Sequence, residues 1–293
     1  MLDIYTPTSE YGAGYPPLAA GKVFHMELLS TRITILCDDY AVFDALTLAY
    51  DALVVAAHDS AGLSYRVVRN GSKGYMLAVH DGTEVPCENL YDILFNLDKW
   101  LTLDVQKRRP DLLFIHAAAL EFAGKGCLLV APSGAGKSTT AWALLHHGFN
   151  YLSDEHAVIN RNTLQLEPYP RALWLRRAPP EYPLPEVILR TSRSIHVPAL
   201  ALPASTVARP VPLHTVYFMA YDPQASAPEL QSISRAQASA RFLSQAMHLQ
   251  ALNASHLQTM DDITTACQPV SLLTADLPAT CKLIQGHCNQ QVR

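Results

Sequence analysis

The run Cys127-Leu128-Leu129-Val130-Ala131-Pro132-Ser133-Gly134-Ala135-Gly136-Lys137-Ser138-Thr139-Thr140 decides the reading of this chain. An apolar strand feeds a glycine-bearing loop, and Ser138–His147 is expected to form a helix that stops at Gly148. Strand, loop and helix in that order are the context a phosphate-binding loop requires. Ala131-Pro132-Ser133-Gly134-Ala135-Gly136-Lys137-Ser138 matches the Walker A pattern except for Ala131 in place of the first glycine. Glycine supplies backbone dihedrals that let main-chain N–H groups curl around a phosphate, and the helix N-terminus adds its dipole and unpaired donors. Ser133, Gly134, Ala135, Gly136, Lys137, Ser138 and Thr139 are therefore expected to hold ATP. Lys137 is expected to reach the β- and γ-phosphates, and the Ser138 hydroxyl to hold Mg²⁺.

Working outward, Leu113–Phe122 reads as a strand, with Ala123-Gly124-Lys125-Gly126 as a tight turn into the loop strand. Downstream, Asn150–Ser153 reads as a short strand that delivers Asp154 and Glu155, 17 and 18 residues after Lys137. That predicts both acids at the carboxyl end of the strand beside the loop strand, where open α/β sheets build their sites. Phosphoryl transfer needs one carboxylate near the metal, and another, or the same one, to take the acceptor's proton. Ser138, Asp154 and Glu155 are the metal candidates. His116 sits in the apolar strand Leu113–Phe122, where spacing alone reads it as a core residue.

Between Lys125 and Lys282 the only lysine is Lys137, so further cations near the loop must be arginines. Arg171, Arg176, Arg177, Arg190 and Arg193 are the candidates in the stretch that follows. Ten prolines between Leu166 and Pro212 preclude a long helix there and predict a surface excursion. A strand at Thr215–Tyr221, helices near Ala236–Gln250 and His256–Cys267, and a last strand at Pro269–Leu273 complete this half.

Before residue 110 the pattern differs. Lys22–Cys37 and Leu63–Val79 are rich in β-branched and aromatic residues, the second broken by Asn70-Gly71-Ser72. Glu88–Gln106 has one apolar face, with Leu90, Ile93, Leu94, Leu97, Trp100, Leu101 and Val105 at helical spacing. The basic, proline-bearing Lys107-Arg108-Arg109-Pro110 ends it. Two domains are expected, an α+β unit over 1–110 that helps recognise the acceptor and a P-loop unit over 111–293.

The whole chain has 293 residues, 49% of them hydrophobic, and a formal net charge of −4. That balance offers no general attraction to nucleic acid or anionic membrane. The opening MLDIYTPTSEYGAGYPP lacks the basic-then-apolar order of a signal peptide, and no run approaches the roughly 20 apolar residues of a membrane span. A cytoplasmic protein is expected. Six scattered cysteines without a C-x-x-C pair read as reduced thiols packed as small hydrophobes.

Taken together, His116, the loop Ser133–Ser138, Gly148 and the Asp154-Glu155 pair resemble the HPr kinase/phosphorylase family in order and spacing, from His116 to about Val158. The resemblance implies a phosphoenolpyruvate-carboxykinase-like fold and a serine hydroxyl as acceptor. It also implies that Asp154 is the catalytic base and that His116 sits beside it, which makes Asp154, His116 and Lys137 the catalytic set. It leaves room for a homo-oligomer. The second acid is Glu155 where the family has aspartate, and the family's downstream glycine-rich signature is replaced by the proline-rich stretch. The chain looks closer to the divergent branch that phosphorylates a serine of a precursor peptide. The expected activity is an ATP-dependent kinase acting on a peptide or protein serine. The alternatives are a small-molecule kinase with the same machinery, or a P-loop ATPase switch. Neither an L-S-G-G-Q segment nor an N-K-x-D base reader is present to favour the switch.

Overall fold

Alternating burial along Lys22–Leu28 and Thr31–Cys37 makes an antiparallel hairpin, with Met26, Leu28, Ile33 and Ile35 on its buried face. Leu29 and Ser30 both take positive φ at its turn, the conformation that matches strand twist in two-residue hairpins. The computed structural model describes residues 21–57, 62–71, 73–247 and 254–292. The opening segment read for a signal peptide, Ser72 and residues 248–250 lie outside the described residues.

The hairpin is the centre of a six-stranded sheet. Its order is Val54–Val55, Lys22–Leu28, Thr31–Cys37, Leu63–Arg69, Tyr75–Ala78 and Glu84–Cys87. Two helices pack against it, Tyr40–Ala49, which the sequence reading missed, and Leu90–Arg108. Asp39 caps the first by accepting from the Ala41 and Val42 amides at 2.9 and 3.1 Å, and Asn89 caps the second. The apolar core under this sheet continues through Leu97, Leu101 and Val105 to Leu112, Phe114, Val158 and Tyr169.

A nine-stranded sheet carries the glycine loop. Asn150–Ser153, Ala117–Phe122, Lys125–Val130 and Val211–Tyr221 lie side by side in that order. The long strand Val211–Tyr221 does two jobs. Its first residues pair with Gln165–Glu167, beyond which lie Ala157–Asn160 and Leu112–Ile115. The remainder runs parallel to both Lys125–Val130 and Gln268–Thr274, and Glu229–Ser232 closes that edge. The helix after the loop is Lys137–Leu145, and Gly148, at φ 84°, lets the chain turn back. Helices Arg235–Gln245, Ala254–Ala266 and Leu277–Val292 follow, the last unanticipated.

Three expectations need correction. The strand foreseen over Leu113–Phe122 breaks at His116 into Leu112–Ile115 and Ala117–Phe122, because each half pairs with different partners. The acid-bearing strand Asn150–Ser153 is not beside the loop strand; Ala117–Phe122 lies between them, antiparallel to both. The two flanking strands thus run in the same sense and end at the same edge of the sheet. The proline-rich stretch is not wholly superficial, since Tyr169, Arg171, Ala172, Leu173 and Val197 are buried. It folds around a small sheet ordered Leu173–Leu175, Ile195–Val197, Leu189–Arg190.

Among the described residues no helix is long and apolar enough to cross a membrane. All six cysteines are buried and free.

Candidate active site

The loop residues Ala131 to Gly136 connect a strand buried from Gly126 to Val130 to the helix Lys137–Leu145. Gly134 and Gly136 have φ of 90° and 88°, in the left-handed region that a side chain disfavours. Gly136 is the residue before the helix, and no side chain caps it. The first-turn amides are left for an anion rather than for a serine or aspartate. Lys137 is buried, and its Nζ donates to the Ala131 and Pro132 carbonyls at 2.8 and 3.4 Å. Burial lowers its pKa, and the charges of Glu155 and Asp154 partly oppose that.

The strand Asn150–Ser153 brings Asp154 to the foot of this loop. Ser138 Oγ donates to Asp154 Oδ1 at 3.0 Å, and the Trp174 amide donates to Oδ2 at 3.2 Å. Asp154 has no solvent exposure. Burial pushes its pKa up, reinforced by the negative charge of Glu155 and opposed by Arg171 and by its hydrogen bonds.

Glu155 is placed differently from its neighbour. Its φ of 71° is a left-handed conformation that glutamate rarely adopts. The side chain is 35% exposed, against none for Asp154. His116 Nε2 lies 2.9 Å from Glu155 Oε2. Burial would raise the Glu155 pKa, but the hydrogen bond and charge of His116, with Arg171 and Lys137, outweigh it and hold the carboxylate low. His116 thus partners Glu155 and not Asp154, contrary to expectation. On its other side His116 Nδ1 faces Gln245 Oε1 at 3.3 Å, and its backbone amide donates to the Gln245 carbonyl at 2.8 Å. The strand break at His116 is what turns the ring toward these two partners.

No protein-family model matches this chain, and no curated protein does. Solved structures do. The HPr(Ser) kinase/phosphatase from Coxiella burnetii is similar at 17% identity over 61% of this chain and 99% of that chain, with a TM-score of 0.31. The chain is a mixed α/β protein with several sheets. Residue roles rest on the site itself.

The donor set is of the kind a hard cation takes. Ser138 Oγ and Asp154 Oδ1 are adjacent oxygens, the ligand type Mg²⁺ takes. Among the described residues no group of three or more His, Cys, Asp or Glu is arranged for a metal. Mg²⁺ that shares phosphate oxygens and waters needs only one or two protein ligands. Sequence reasoning missed Gln245 and the Trp174 amide. Gln245 is 129 residues from His116, and a main-chain donor carries no side-chain signal.

Proposed function

We propose that this chain is an ATP-dependent phosphotransferase whose acceptor is a hydroxyl, by preference a serine of a peptide or protein. The observation that carries the reading is the 3.0 Å contact between Ser138 and Asp154 at the start of an uncapped helix, beside the half-buried Glu155–His116 pair.

The geometry favours dividing the acids differently from the family resemblance. Asp154 is buried against Ser138, which suits a metal ligand. Glu155 is part-exposed and oriented by His116, and the same contacts keep it ionised, so it can take a proton from an acceptor that reaches it. Ser138 and Asp154 would hold Mg²⁺, which supplies charge neutralisation across the phosphates when bound. Lys137 neutralises phosphate charge from the loop, and the amides at Gly136–Ser138 orient the chain of phosphates. In the transfer, the acceptor oxygen forms a bond to the γ-phosphorus and the bond from that phosphorus to the bridging oxygen breaks. ADP leaves with the electron pair, and the acceptor proton goes to Glu155. His116 is a positioning residue here, because both its ring nitrogens face oxygen atoms of its neighbours.

The test is incubation with γ-labelled ATP, Mg²⁺ and the proteins encoded beside this chain, followed by mapping of the label. Label on a serine, lost with Lys137→Ala, is the expected result. Release of labelled inorganic phosphate alone, with no labelled acceptor, would move the chain to the ATPase class.

A further inference from the structure

Six arginines follow the acids within about forty residues, Arg161 and then Arg171, Arg176, Arg177, Arg190 and Arg193, and the structure separates them. Arg171 is buried: its Nε is 3.4 Å from Asp98, its guanidinium lies 4.5 Å from the centre of the Trp174 ring, and its charge acts on Asp154 and Glu155. Arg193 sits over the Tyr91 ring at 5.0 Å. Arg176 is the one that lies against the glycine loop among the described contacts. Its Nη2 donates to Ser133 Oγ at 3.1 Å, and its Nη1 is 3.6 Å from the position a Cβ on Gly134 would occupy. The guanidinium thus lies in ordinary van der Waals reach of the loop at Gly134.

We propose that Arg176 is the second cation of the phosphate site, gripping the terminal phosphate of the bound triphosphate and so distinguishing ATP from ADP. The proposal rests on the phosphotransfer reading above. The delivering element gives it direction. The strand Leu173–Leu175 that leads to Arg176 also supplies the Trp174 amide to Asp154, so one short element ties the guanidinium to the acid that faces Ser138. In this chain the guanidinium, with five N–H donors, touches the loop through one neutral hydroxyl. Phosphate oxygens would engage the planar fork in two parallel charge-assisted bonds, which Ser133 cannot. During transfer, negative charge spreads over the oxygens of the moving group, and a fixed guanidinium there lowers the barrier.

The experiment is calorimetric titration of the full chain with Mg²⁺ and either a non-hydrolysable ATP analogue or ADP. The proteins are wild type, Arg176→Gln, Arg176→Lys and Arg193→Gln. Arg176 is exposed, so the variants should melt with the parent. The expected result is a preference for triphosphate over diphosphate that falls about tenfold in Arg176→Gln and partly recovers in Arg176→Lys, with Arg193→Gln unchanged. A preference unaltered in Arg176→Gln overturns the proposal while nucleotide binding by wild type leaves the P-loop reading standing. An equal loss in Arg193→Gln also overturns it, by making the effect one of general charge. If wild type binds neither nucleotide, the phosphotransfer reading falls and takes this assignment with it.

Discussion

Glu155 holds a left-handed backbone conformation that costs a non-glycine residue about 1–2 kcal/mol. Such strain persists where the surroundings over-determine it, and here they do: His116 grips the carboxylate while the preceding residue is locked to Ser138 and Trp174. The twist is what sends two consecutive carboxylates in different directions, one into the protein and one toward solvent. Glu155→Gln is expected to retain Mg²⁺-dependent nucleotide binding and lose phosphoryl transfer by about 10²–10⁴-fold, the range for a general base. Asp154→Asn is expected to weaken binding of the Mg²⁺ complex first. Titration and single-turnover assays on both variants check this, and the reverse pattern would return the base to Asp154. At this scale the sequence was legible where the residues that come together are adjacent or lie in a fixed motif. Asp154, Glu155, Lys137 and Ser138 all come from such signals. Which acid faces which partner was not, because one φ angle decides it.

Short elements, rather than long ones, aim the site's groups. The loop needs positive φ at Gly136, yet a Cβ there would meet nothing within 4 Å. The demand is therefore conformational and not steric. Gly136→Ala should cost about 1–2 kcal/mol of stability, read as a lower denaturation midpoint, with weaker nucleotide binding. An alanine variant as stable as the parent would mean that the loop relaxes to another conformation without penalty. The helix Leu90–Arg108 and the turn at Ala123-Gly124 were readable from apolar spacing and from glycine, because local sequence dictates both. The break at His116 was not, since nothing in Leu113–Phe122 encodes a change of strand partner. Nor was the small sheet within the proline-rich stretch, where proline spacing excluded a helix but said nothing of strands two or three residues long.

Across the whole molecule, the first hundred residues reach the acids through Asp98. This buried carboxylate on Leu90–Arg108 lies 2.6 Å from His156 Nε2, 3.4 Å from Arg171 Nε, and accepts from the Tyr169 hydroxyl at 3.1 Å. Burial alone would raise its pKa, but Arg171 and His156 hold it down at about 2. Nearby His196, buried between Trp174 and Ser194, is pushed down to about 3 by burial and by the Arg171 charge. An unfolded histidine takes its proton near pH 6.5. As pH falls from 6.5 toward 3, the unfolded chain therefore binds a proton that native His196 refuses, and stability is lost. Between pH 7.5 and 5 this residue should contribute a loss of about 2 kcal/mol. Asp98 adds its own loss only below about pH 4, where an unfolded aspartate protonates. Urea unfolding of wild type and His196→Gln over that range checks the sign; equal slopes would exclude His196 as the source.

All of these roles require a triphosphate seated on the loop at 131–138. The most direct test is calorimetric titration of the intact chain with ATP in the presence and absence of Mg²⁺, alongside Lys137→Ala and Ser138→Ala. The account predicts one site per chain with a Kd between about 1 μM and 1 mM. It also predicts Mg²⁺ dependence that is lost in Ser138→Ala, and at least a tenfold weakening in Lys137→Ala. Equal binding by wild type and Lys137→Ala, or no heat of binding in the wild type, would contradict it.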